Sequence, residues 1–110
     1  MDLSIAVITW NRSKQLIEAL ESCLVCEMPK ETEFIIIDNA STDDTEQVVK
    51  ALFEKKKYPF YYEKMNENLG VGRGRNYAYL RSSGKYVYFL DDDAYIDKKN
   101  PHFFTGSRIF

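Results

Sequence analysis

The first third of the chain alternates between continuous apolar runs and a helical pattern. Residues 3–9 are apolar almost throughout, and residues 33–38 hold the continuous apolar run 34–37, which predicts two buried strands. Between them, Ser13 is a candidate N-cap, and apolar residues then recur at spacings of three and four. This spacing predicts a helix with one buried stripe. Its members are Leu16, Ile17, Leu20, Cys23 and Leu24.

The pattern continues with a second helix and a third strand. Ser41 or Thr42 is expected to cap the helix, because acidic residues follow near its positive N-terminal end. The predicted buried stripe of this helix is Val48, Val49, Leu52 and Phe53. Residues 58–64 form a weaker strand, which Pro59 places near an edge of the sheet.

A glycine-rich segment precedes the last predicted elements. We expect residues 66–74 to form a loop and a short helix to run over about residues 75–82, with Gly84 as its C-cap. Residues 85–90 then predict a fourth strand, which ends abruptly in three aspartates.

This alternation predicts an α/β fold in three layers, α/β/α, around a mostly parallel sheet that is covered on both faces. Ligands of such sheets bind at the carboxyl ends of the strands. Polar clusters follow all four predicted strands, at residues 9–12, 38–42, 68–76 and 91–93. We therefore expect these clusters to converge on one rim of the sheet.

Composition indicates one folded domain. The chain has 110 residues, of which 45% are hydrophobic and 29% charged, and this balance excludes a disordered tail. The net charge of −2 argues against nucleic acid as a partner. No apolar run approaches the roughly 20 residues of a membrane helix. The chain begins directly with a strand pattern, so we expect no signal peptide.

The two cysteines, Cys23 and Cys26, have the C-x-x-C spacing of redox pairs and of half a zinc site. Zinc requires about four ligands, and the chain offers one histidine, His102, and no second cysteine pair. The pair also lies late in a helical pattern, not at a helix start, where a thiolate would be activated. We therefore expect two reduced structural thiols and no catalytic role for His102.

Three consecutive carboxylates, Asp91, Asp92 and Asp93, directly follow the fourth strand. Clustered carboxylates repel one another unless a cation neutralises them, and their hard oxygen atoms suit Mg²⁺ or Mn²⁺. In an extended segment, Asp91 and Asp93 would face one ligand while Asp92 points elsewhere. The alternative is a solvated acidic turn or a helix cap.

The other polar clusters each allow a binding and a structural interpretation. Asp38 could accept hydrogen bonds from a base or a ribose, or form an Asx turn that leads into the helix. The Gly-x-Gly-x-Gly segment could hold a phosphate beside Arg73 or Arg75, or be a flexible turn. Trp10 could stack on a ring, or belong to the core. A receiver domain and a dinucleotide-binding oxidoreductase are both disfavoured, because neither the acidic pair of the first nor the glycine signature of the second follows the first strand.

Taken together, these segments resemble family 2 glycosyltransferases of the GT-A fold. The matching strings lie in the family's order and spacing and together span residues 3 to about 97. They are residues 5–12, 35–43, 68–70 with 74–76, and 84–93. The resemblance implies that the chain is the N-terminal part of such an enzyme, which binds the nucleotide-sugar donor. The string at residues 38–43 is similar to that of rhamnosyltransferase-like members, but it does not identify the donor sugar.

The resemblance also implies roles for individual residues in donor binding. Thr9, Asn11 and Arg12 would border the base and the ribose. Asp38 would contact the nucleobase, usually uracil or thymine, and Arg75 would lie near the base or the diphosphate. The same match places Asn68 and Gly70 in the donor site.

By the same resemblance, the aspartates of residues 91–93 would form the D-x-D motif of the family. Asp93 would bind the Mn²⁺ or Mg²⁺ ion that bridges the diphosphate. Asp91 would assist this metal or hold the ribose, and Asp92 would belong to the donor site. The cation would stabilise charge on the departing nucleoside diphosphate.

The implied activity is metal-dependent transfer of a sugar from a UDP- or dTDP-type donor to a saccharide or lipid-linked acceptor, generally with inversion. Family members continue past the acidic motif, and nothing after Asp97 is a convincing base. We therefore expect residues 1–110 to be the donor-binding portion of a truncated enzyme, with its base beyond residue 110. A catalytically inactive nucleotide-sugar-binding fragment is the alternative. We also expect self-association through the uncovered face, and a cytoplasmic or peripheral inner-membrane location in polysaccharide biosynthesis.

Overall fold

The computed structural model describes residues 1–94 as alternating strands and helices. The strands are β1 (Leu3–Thr9), β2 (Thr32–Asp38), β3 (Phe60–Lys64) and β4 (Tyr86–Asp91). The helices are α1 (Ser13–Leu24), α2 (Thr45–Glu54) and α3 (Gly70–Arg81). None of the helices in this part of the chain is long and apolar enough to cross a membrane. His102 and the segment after Asp97 lie outside the described residues.

The four strands form one parallel sheet in the order β3-β2-β1-β4. Thr9 lies opposite Asp38, Asp38 lies opposite Lys64, and Ile8 lies opposite Asp91. The carboxyl ends of all four strands therefore meet along one rim. The predicted edge position of the strand within residues 58–64 is confirmed, because β3 is the outermost strand beside β2.

Apolar side chains pack against both faces of the sheet, because successive residues of a strand point to opposite sides. Ile5 and Phe34 belong to the core that β1 and β2 share with α1 and α2. Ala6 and Ile35, one residue further along each strand, belong to a second core with Ala78 of α3. The predicted three-layer α/β/α arrangement around a parallel sheet is confirmed.

The helix caps predicted at Ser13 and Gly84 are wrong. The N-cap position of α1 is Arg12, so Ser13 is already helical. α3 ends at Arg81, and its C-cap, Ser82, has an extended backbone. Gly84 instead passes close to β1, where its N–H donates to the Ser4 hydroxyl at 2.8 Å. A Cβ atom on Gly84 would lie 2.5 Å from the Ser4 backbone nitrogen, which explains why a glycine is needed there.

The start of α2 also differs from its prediction. The helix begins at Thr45, so Ser41 and Thr42 belong to the preceding loop and do not cap it. Asp43 provides the acceptor that the helix start needs, since its carboxylate accepts hydrogen bonds from the Thr45 N–H at 3.1 Å and from the Thr45 hydroxyl. The Ser41 hydroxyl instead accepts a hydrogen bond from the N–H of Asn11, in the loop after β1. The sequence pattern does not reveal this contact.

The third helix is longer than predicted. It begins at Gly70, about five residues before the expected start, and therefore includes Gly72 and Gly74. Gly74 is buried where α3 crosses β1, and a Cβ atom there would lie 2.8 Å from Ile8 Cγ2. The close approach of helix to strand, and not loop flexibility, accounts for this glycine.

Candidate functional site

A cleft of about 280 Å³ opens at the carboxyl edge of the sheet. The residues that line it are Ile8, Thr9, Trp10, Arg12, Asn39, Asn68, Gly70, Val71 and Asp92. All four polar segments of the sequence contribute to this lining, so their predicted convergence on one rim is confirmed. A wider groove of about 680 Å³ runs along α1 and α2, but none of the predicted site residues lines it.

Asp91 is the last residue of β4, and Asp92 and Asp93 lie in the turn that follows and not in an extended segment. The N–H of Ala94 donates to the Asp91 carbonyl at 3.1 Å and closes the turn. Asp92 accepts a hydrogen bond from Thr9 Oγ1 at 3.1 Å, which ties the turn to β1. The strand alternation from which we paired Asp91 with Asp93 is therefore absent. The backbone agrees instead with the alternative interpretation, an acidic turn.

The three carboxylates differ strongly in exposure. The side chain of Asp92 is 16% exposed, whereas those of Asp93 and Asp91 are 57% and 74% exposed. Burial raises the pKa of Asp92 above its ordinary value, and the hydrogen bond from Thr9 and the charge of Arg12 oppose this rise only in part. Asp92 thus anchors the turn, while the carboxylates of its two neighbours are exposed to solvent.

Two arginines approach the turn from different elements. Arg12 Nη1 lies 3.2 Å from Asp93 Oδ2 and 3.6 Å from Asp92 Oδ1. Arg75 Nη2 lies 3.9 Å from Asp91 Oδ1, and its guanidinium sits over the ring of Phe89. Exposed ion pairs such as these contribute little to stability. These ion pairs instead hold the guanidinium groups of Arg12 and Arg75 in position beside the cleft.

The chemistry of this turn fits a hard divalent cation. Carboxylate oxygens are the ligands that Mg²⁺ and Mn²⁺ prefer, and Asp91 and Asp93 carry such oxygens in the open. Within residues 1–94, no three histidine, cysteine, aspartate or glutamate side chains converge closely enough to hold a metal. A cation at this turn would therefore also need oxygen atoms from water or from a bound diphosphate.

Asn11 links the loop after β1 to the loop after β2. Its Oδ1 accepts a hydrogen bond from the Thr42 N–H at 2.7 Å, and its own N–H donates to Ser41 Oγ at 2.9 Å. The backbone of Asn11 has a φ of 50°, a region in which asparagine is enriched, and Ala40 in the partner loop has a φ of 69°. The predicted site residue Asn11 thus orders the rim through its own hydrogen bonds.

Asp38, which we expected to contact a nucleobase, is completely buried at the end of β2. One carboxylate oxygen accepts the Ser41 N–H at 2.9 Å, and the other accepts the hydroxyl of Tyr62. Burial raises the pKa of Tyr62, and the hydrogen bond to Asp38 raises it further, so this hydroxyl remains a donor. In this geometry the carboxylate has no surface to offer a base. It supports the loop instead, as in the turn interpretation.

Asn39 is the residue of this segment that lines the cleft, and we did not single it out from the sequence. It is 2% exposed, and its Nδ2 donates to the Gly70 carbonyl at 3.2 Å. The Gly70 carbonyl fixes the orientation of the amide, because two acceptors would repel. Within residues 1–94, Asn39 Oδ1 is then left buried without a hydrogen-bond partner, at a cost of about 1–3 kcal/mol. In the sequence, its position directly after Asp38 was the signal that could have identified Asn39 as a site residue.

The start of α3 forms another wall of the cleft. Asn68 Oδ1 accepts the Gly70 N–H at 2.9 Å, and Gly70 has a φ of 84°, which favours glycine. The first N–H groups of a helix lack partners within the helix, and they attract anions. The glycine-rich segment is therefore not a flexible turn, because α3 already begins at Gly70, and a helix N-terminus lies where we considered a phosphate-binding segment.

Trp10 lies at the mouth of the cleft with 50% of its surface exposed. The interpretation that placed it in the core is wrong, because the helix that follows begins only after a further loop residue with positive φ. Its ring is free to stack on a planar ligand group.

The sequence matches the family model described as glycosyl transferase family 2 over residues 4–100. A curated relative, the poly(ribitol-phosphate) beta-N-acetylglucosaminyltransferase TarS of Staphylococcus aureus, is 35% identical over 90% of this chain. The chain spans only 17% of the length of that relative.

Solved structures agree with this match. S. aureus TarS 1-349 in complex with UDP-GlcNAc superposes with a TM-score of 0.81 at 35% identity, over 90% of this chain and 28% of that one. The mannosyltransferase PcManGT from Pyrobaculum calidifontis, in complex with GDP-Man and Mn²⁺, superposes with a TM-score of 0.80 at 25% identity. That superposition covers 84% of this chain and 28% of PcManGT.

Proposed function

This chain belongs to glycosyl transferase family 2, and from that premise we propose that it binds the nucleotide-sugar donor of a glycosyltransferase. Its fold is that of the GT-A glycosyltransferases on which it superposes. The observation that carries the proposal is the cleft itself, where an unpartnered buried acceptor, two arginines and the acidic turn lie at one rim. The complex of TarS with UDP-GlcNAc supports the donor class.

We propose that the base of a UDP- or dTDP-type donor lies between Trp10 and Asn39. Uracil and thymine each carry an N3–H donor, and Asn39 Oδ1 is a buried acceptor that lacks one. Trp10 offers an exposed ring on which the base would stack. Thr9 and Asn11 would border the ribose, and Asp38 would act by holding the loop that carries Asn39.

The diphosphate would lie between the start of α3 and the acidic turn. The first turn of α3 after Gly70 lies there, with N–H groups that have no acceptor within the helix, and Arg12 and Arg75 add positive charge. Asp93, with Asp91, would hold Mn²⁺ or Mg²⁺. A bound divalent cation would neutralise charge on the nucleoside diphosphate as it leaves. The complex of PcManGT with GDP-Man and Mn²⁺ supports the choice of a divalent cation.

The wider predictions go beyond the described residues. Inversion at the anomeric carbon, the base beyond residue 110 and a saccharide or lipid-linked acceptor stay predictions. The same holds for the inactive-fragment alternative, for self-association and for the cytoplasmic or inner-membrane location. Each concerns a larger protein, since the chain spans less than a third of the relatives that it matches.

Base selectivity tests the assignment of Asn39. We expect UDP to bind at least about tenfold more tightly than CDP, because cytosine has an acceptor at N3 and would face Asn39 Oδ1 without a hydrogen bond. Isothermal titration of the chain with each nucleotide in the presence of Mn²⁺ measures the ratio. Equal affinities for UDP and CDP would contradict the assignment.

Two substitutions at Asn39 separate recognition from packing. Asn39→Asp keeps one acceptor but sets the other carboxylate oxygen against the Gly70 carbonyl, so it should lower the affinity for both nucleotides and still keep the preference for UDP over CDP. Asn39→Leu has a similar volume but no acceptor, and should reduce UDP affinity to near that of CDP. Near-ultraviolet circular dichroism verifies that both variants are folded. A Leu variant that still prefers UDP would show that another group reads the base.

A further inference from the structure

Arg12 bridges two carboxylates of the acidic turn with a single nitrogen atom. Its Nη1 donates to Asp93 Oδ2 at 3.2 Å and lies 3.6 Å from Asp92 Oδ1. Asp92 is also tied to Thr9 of β1, so one of these two partners is firmly held. Clustered carboxylates repel one another unless a positive charge lies nearby, and Arg12 supplies that charge.

The backbone of Arg12 is fixed, whereas its side chain is free to reorient. Arg12 is the N-cap residue of α1, and its carbonyl accepts a hydrogen bond from the Leu16 N–H at 2.8 Å. The side chain is 50% exposed, so water competes with its contacts to the turn. Exposed ion pairs change an equilibrium constant by at most about fivefold. The guanidinium can therefore exchange one anionic partner for another at small cost.

Arg75, the second arginine beside the turn, is held differently. Its Nη2 lies 3.9 Å from Asp91 Oδ1, and its guanidinium also lies over the ring of Phe89, 5.6 Å from the ring centroid. This ring keeps Arg75 beside the cleft whichever partner Asp91 takes. None of the cation–π contacts within residues 1–94 involves Arg12. The position of the Arg12 guanidinium thus depends on the carboxylates of the turn.

Arg12 and a divalent cation compete for the same carboxylate. Asp93 is the residue proposed above to hold Mn²⁺ or Mg²⁺, and Arg12 donates a hydrogen bond to it. Two cations beside one carboxylate repel each other, so Arg12 has to leave Asp93 when the metal binds. Arg12 also lines the cleft together with Gly70, where α3 begins and where we propose the diphosphate. A guanidinium that leaves the turn thus has a second anionic partner in the same cleft.

We propose, on the basis of the donor site proposed above, that Arg12 is an exchangeable counter-ion that couples metal binding to nucleotide binding. Arg12 pairs with Asp92 and Asp93 until a divalent cation and a nucleoside diphosphate enter, and it then pairs with the diphosphate. The nucleotide strengthens metal binding because it draws Arg12 away from the carboxylates. Linkage requires that the metal strengthen nucleotide binding by the same factor.

Substitution of Arg12 should change the affinities for metal and for nucleotide in opposite directions. The loss of the electron paramagnetic resonance signal of free Mn²⁺ measures metal binding without nucleotide, and calorimetry at saturating Mn²⁺ measures UDP binding. Arg12→Gln should bind Mn²⁺ about three- to tenfold more tightly, because the competing cation is gone. It should bind UDP about tenfold more weakly, because the diphosphate loses a guanidinium. Arg12→Lys keeps the charge and should return both affinities toward those of the unmodified chain.

Lys14→Gln is the matched control for the loss of one positive charge. Lys14 is exposed and lies two residues further along the chain, but it lines the groove along α1 and α2 and not the cleft. We expect both of its affinities to stay within about twofold of those of the unmodified chain. Near-ultraviolet circular dichroism verifies that each variant is folded.

The outcomes distinguish failure of the exchange from failure of the proposed function. The exchange is overturned, while the donor site stands, if the unmodified chain binds UDP with Mn²⁺ but Arg12→Gln gains no affinity for Mn²⁺ or loses none for UDP. An equal gain in Mn²⁺ affinity in Lys14→Gln also overturns it, because net charge alone would then explain the effect. An unmodified chain that binds no UDP in the presence of Mn²⁺ contradicts both proposals.

Discussion

At the residue scale, the segment after β2 divides two tasks between adjacent polar side chains. Asp38 is buried and accepts hydrogen bonds from Ser41 and Tyr62, which holds the loop in place. Asn39 lines the cleft, and its buried Oδ1 has no hydrogen-bond partner among residues 1–94. Asp38 therefore supports the loop, and its neighbour Asn39 is the residue that lines the cleft.

Removal of the Tyr62 hydroxyl tests the supporting role of Asp38. Tyr62→Phe deprives a completely buried carboxylate of one of its two donors, and we expect a loss of about 1–3 kcal/mol in the free energy of unfolding. Urea denaturation measures it. Tyr61→Phe is the control, because the Tyr61 hydroxyl donates to Glu63 near the surface and its loss should cost under about 0.5 kcal/mol. Equal losses in the two variants would contradict the role.

From the sequence, the segments that form the site were predicted more accurately than the individual residues that line the cleft. Every strand end supplied polar residues, and the parallel order of the strands placed all of them on one rim. Whether Asp38 or Asn39 faces the cleft depends on the direction of each side chain at the strand end. That direction is set by Tyr62, more than twenty residues away, and no local pattern reports it.

At the element scale, α3 depends on the absence of side chains where it crosses the sheet. Gly74 lies against Ile8 of β1, and a Cβ atom there would come within 2.9 Å of two Ile8 carbons. Gly72, one half-turn earlier, has no atom within 4 Å of such a Cβ. Two glycines of one helix thus have opposite environments.

These two glycines provide a matched pair of substitutions. Gly74→Ala should destabilise the protein by about 1–2 kcal/mol, because the cost of overpacking exceeds the gain in helix propensity. Gly72→Ala should stabilise it by about 0.5–1 kcal/mol, since only the propensity changes. Thermal unfolding of both variants measures the difference. A Gly74→Ala protein as stable as Gly72→Ala would mean that the contact between α3 and β1 is looser than described.

The boundaries of elements were harder to predict than their existence. The strands and helices appear in the predicted order, because apolar periodicity reflects burial directly. The starts of α2 and α3 were wrong by several residues, since Asp43 and Asn68 supply acceptors from outside the expected cap positions. Such contacts depend on loop geometry, which local propensity does not determine.

At the scale of the whole molecule, Glu33 joins three parts of the chain at the amino edge of the sheet. Its Oε2 accepts the Ser4 hydroxyl at 2.5 Å, the Ser83 N–H at 2.7 Å and the Ser83 hydroxyl at 2.9 Å. Burial would raise the pKa of Glu33, but these hydrogen bonds outweigh it and lower the pKa below 4.5. The ionised carboxylate thus ties β2 to β1 and to the segment before β4.

The lowered pKa of Glu33 makes stability depend on pH in a defined direction. Its contribution is complete above pH 4.5, the ordinary value, and is lost as the pH falls through the lower pKa of the folded state. Glu33→Gln should therefore cost about 1–2 kcal/mol at pH 7 and progressively less toward pH 3. Urea denaturation at several pH values measures this. Glu54→Gln, at the end of α2, is the control and should follow the parent profile at each pH.

The fold as a whole was predictable because its rules are few. Nearly continuous apolar strands that alternate with helices allow a parallel sheet with helices on both faces, and right-handed crossovers then determine the topology. The order β3-β2-β1-β4 follows this scheme. The conformation of the acidic turn could not be predicted from these rules, because it depends on Thr9 and Arg12 from the opposite end of the chain.

Calorimetric titration of the chain with UDP, with Mn²⁺ and then with a chelator, tests most directly whether this cleft binds a nucleotide-sugar donor. We predict saturable binding of one UDP per chain that weakens at least about tenfold without Mn²⁺. The gain from Mn²⁺ should be absent in Asp93→Asn, whose fold is expected to be intact because this side chain is exposed. If a chain that circular dichroism shows to be folded binds no UDP in the presence of Mn²⁺, the central claim is contradicted.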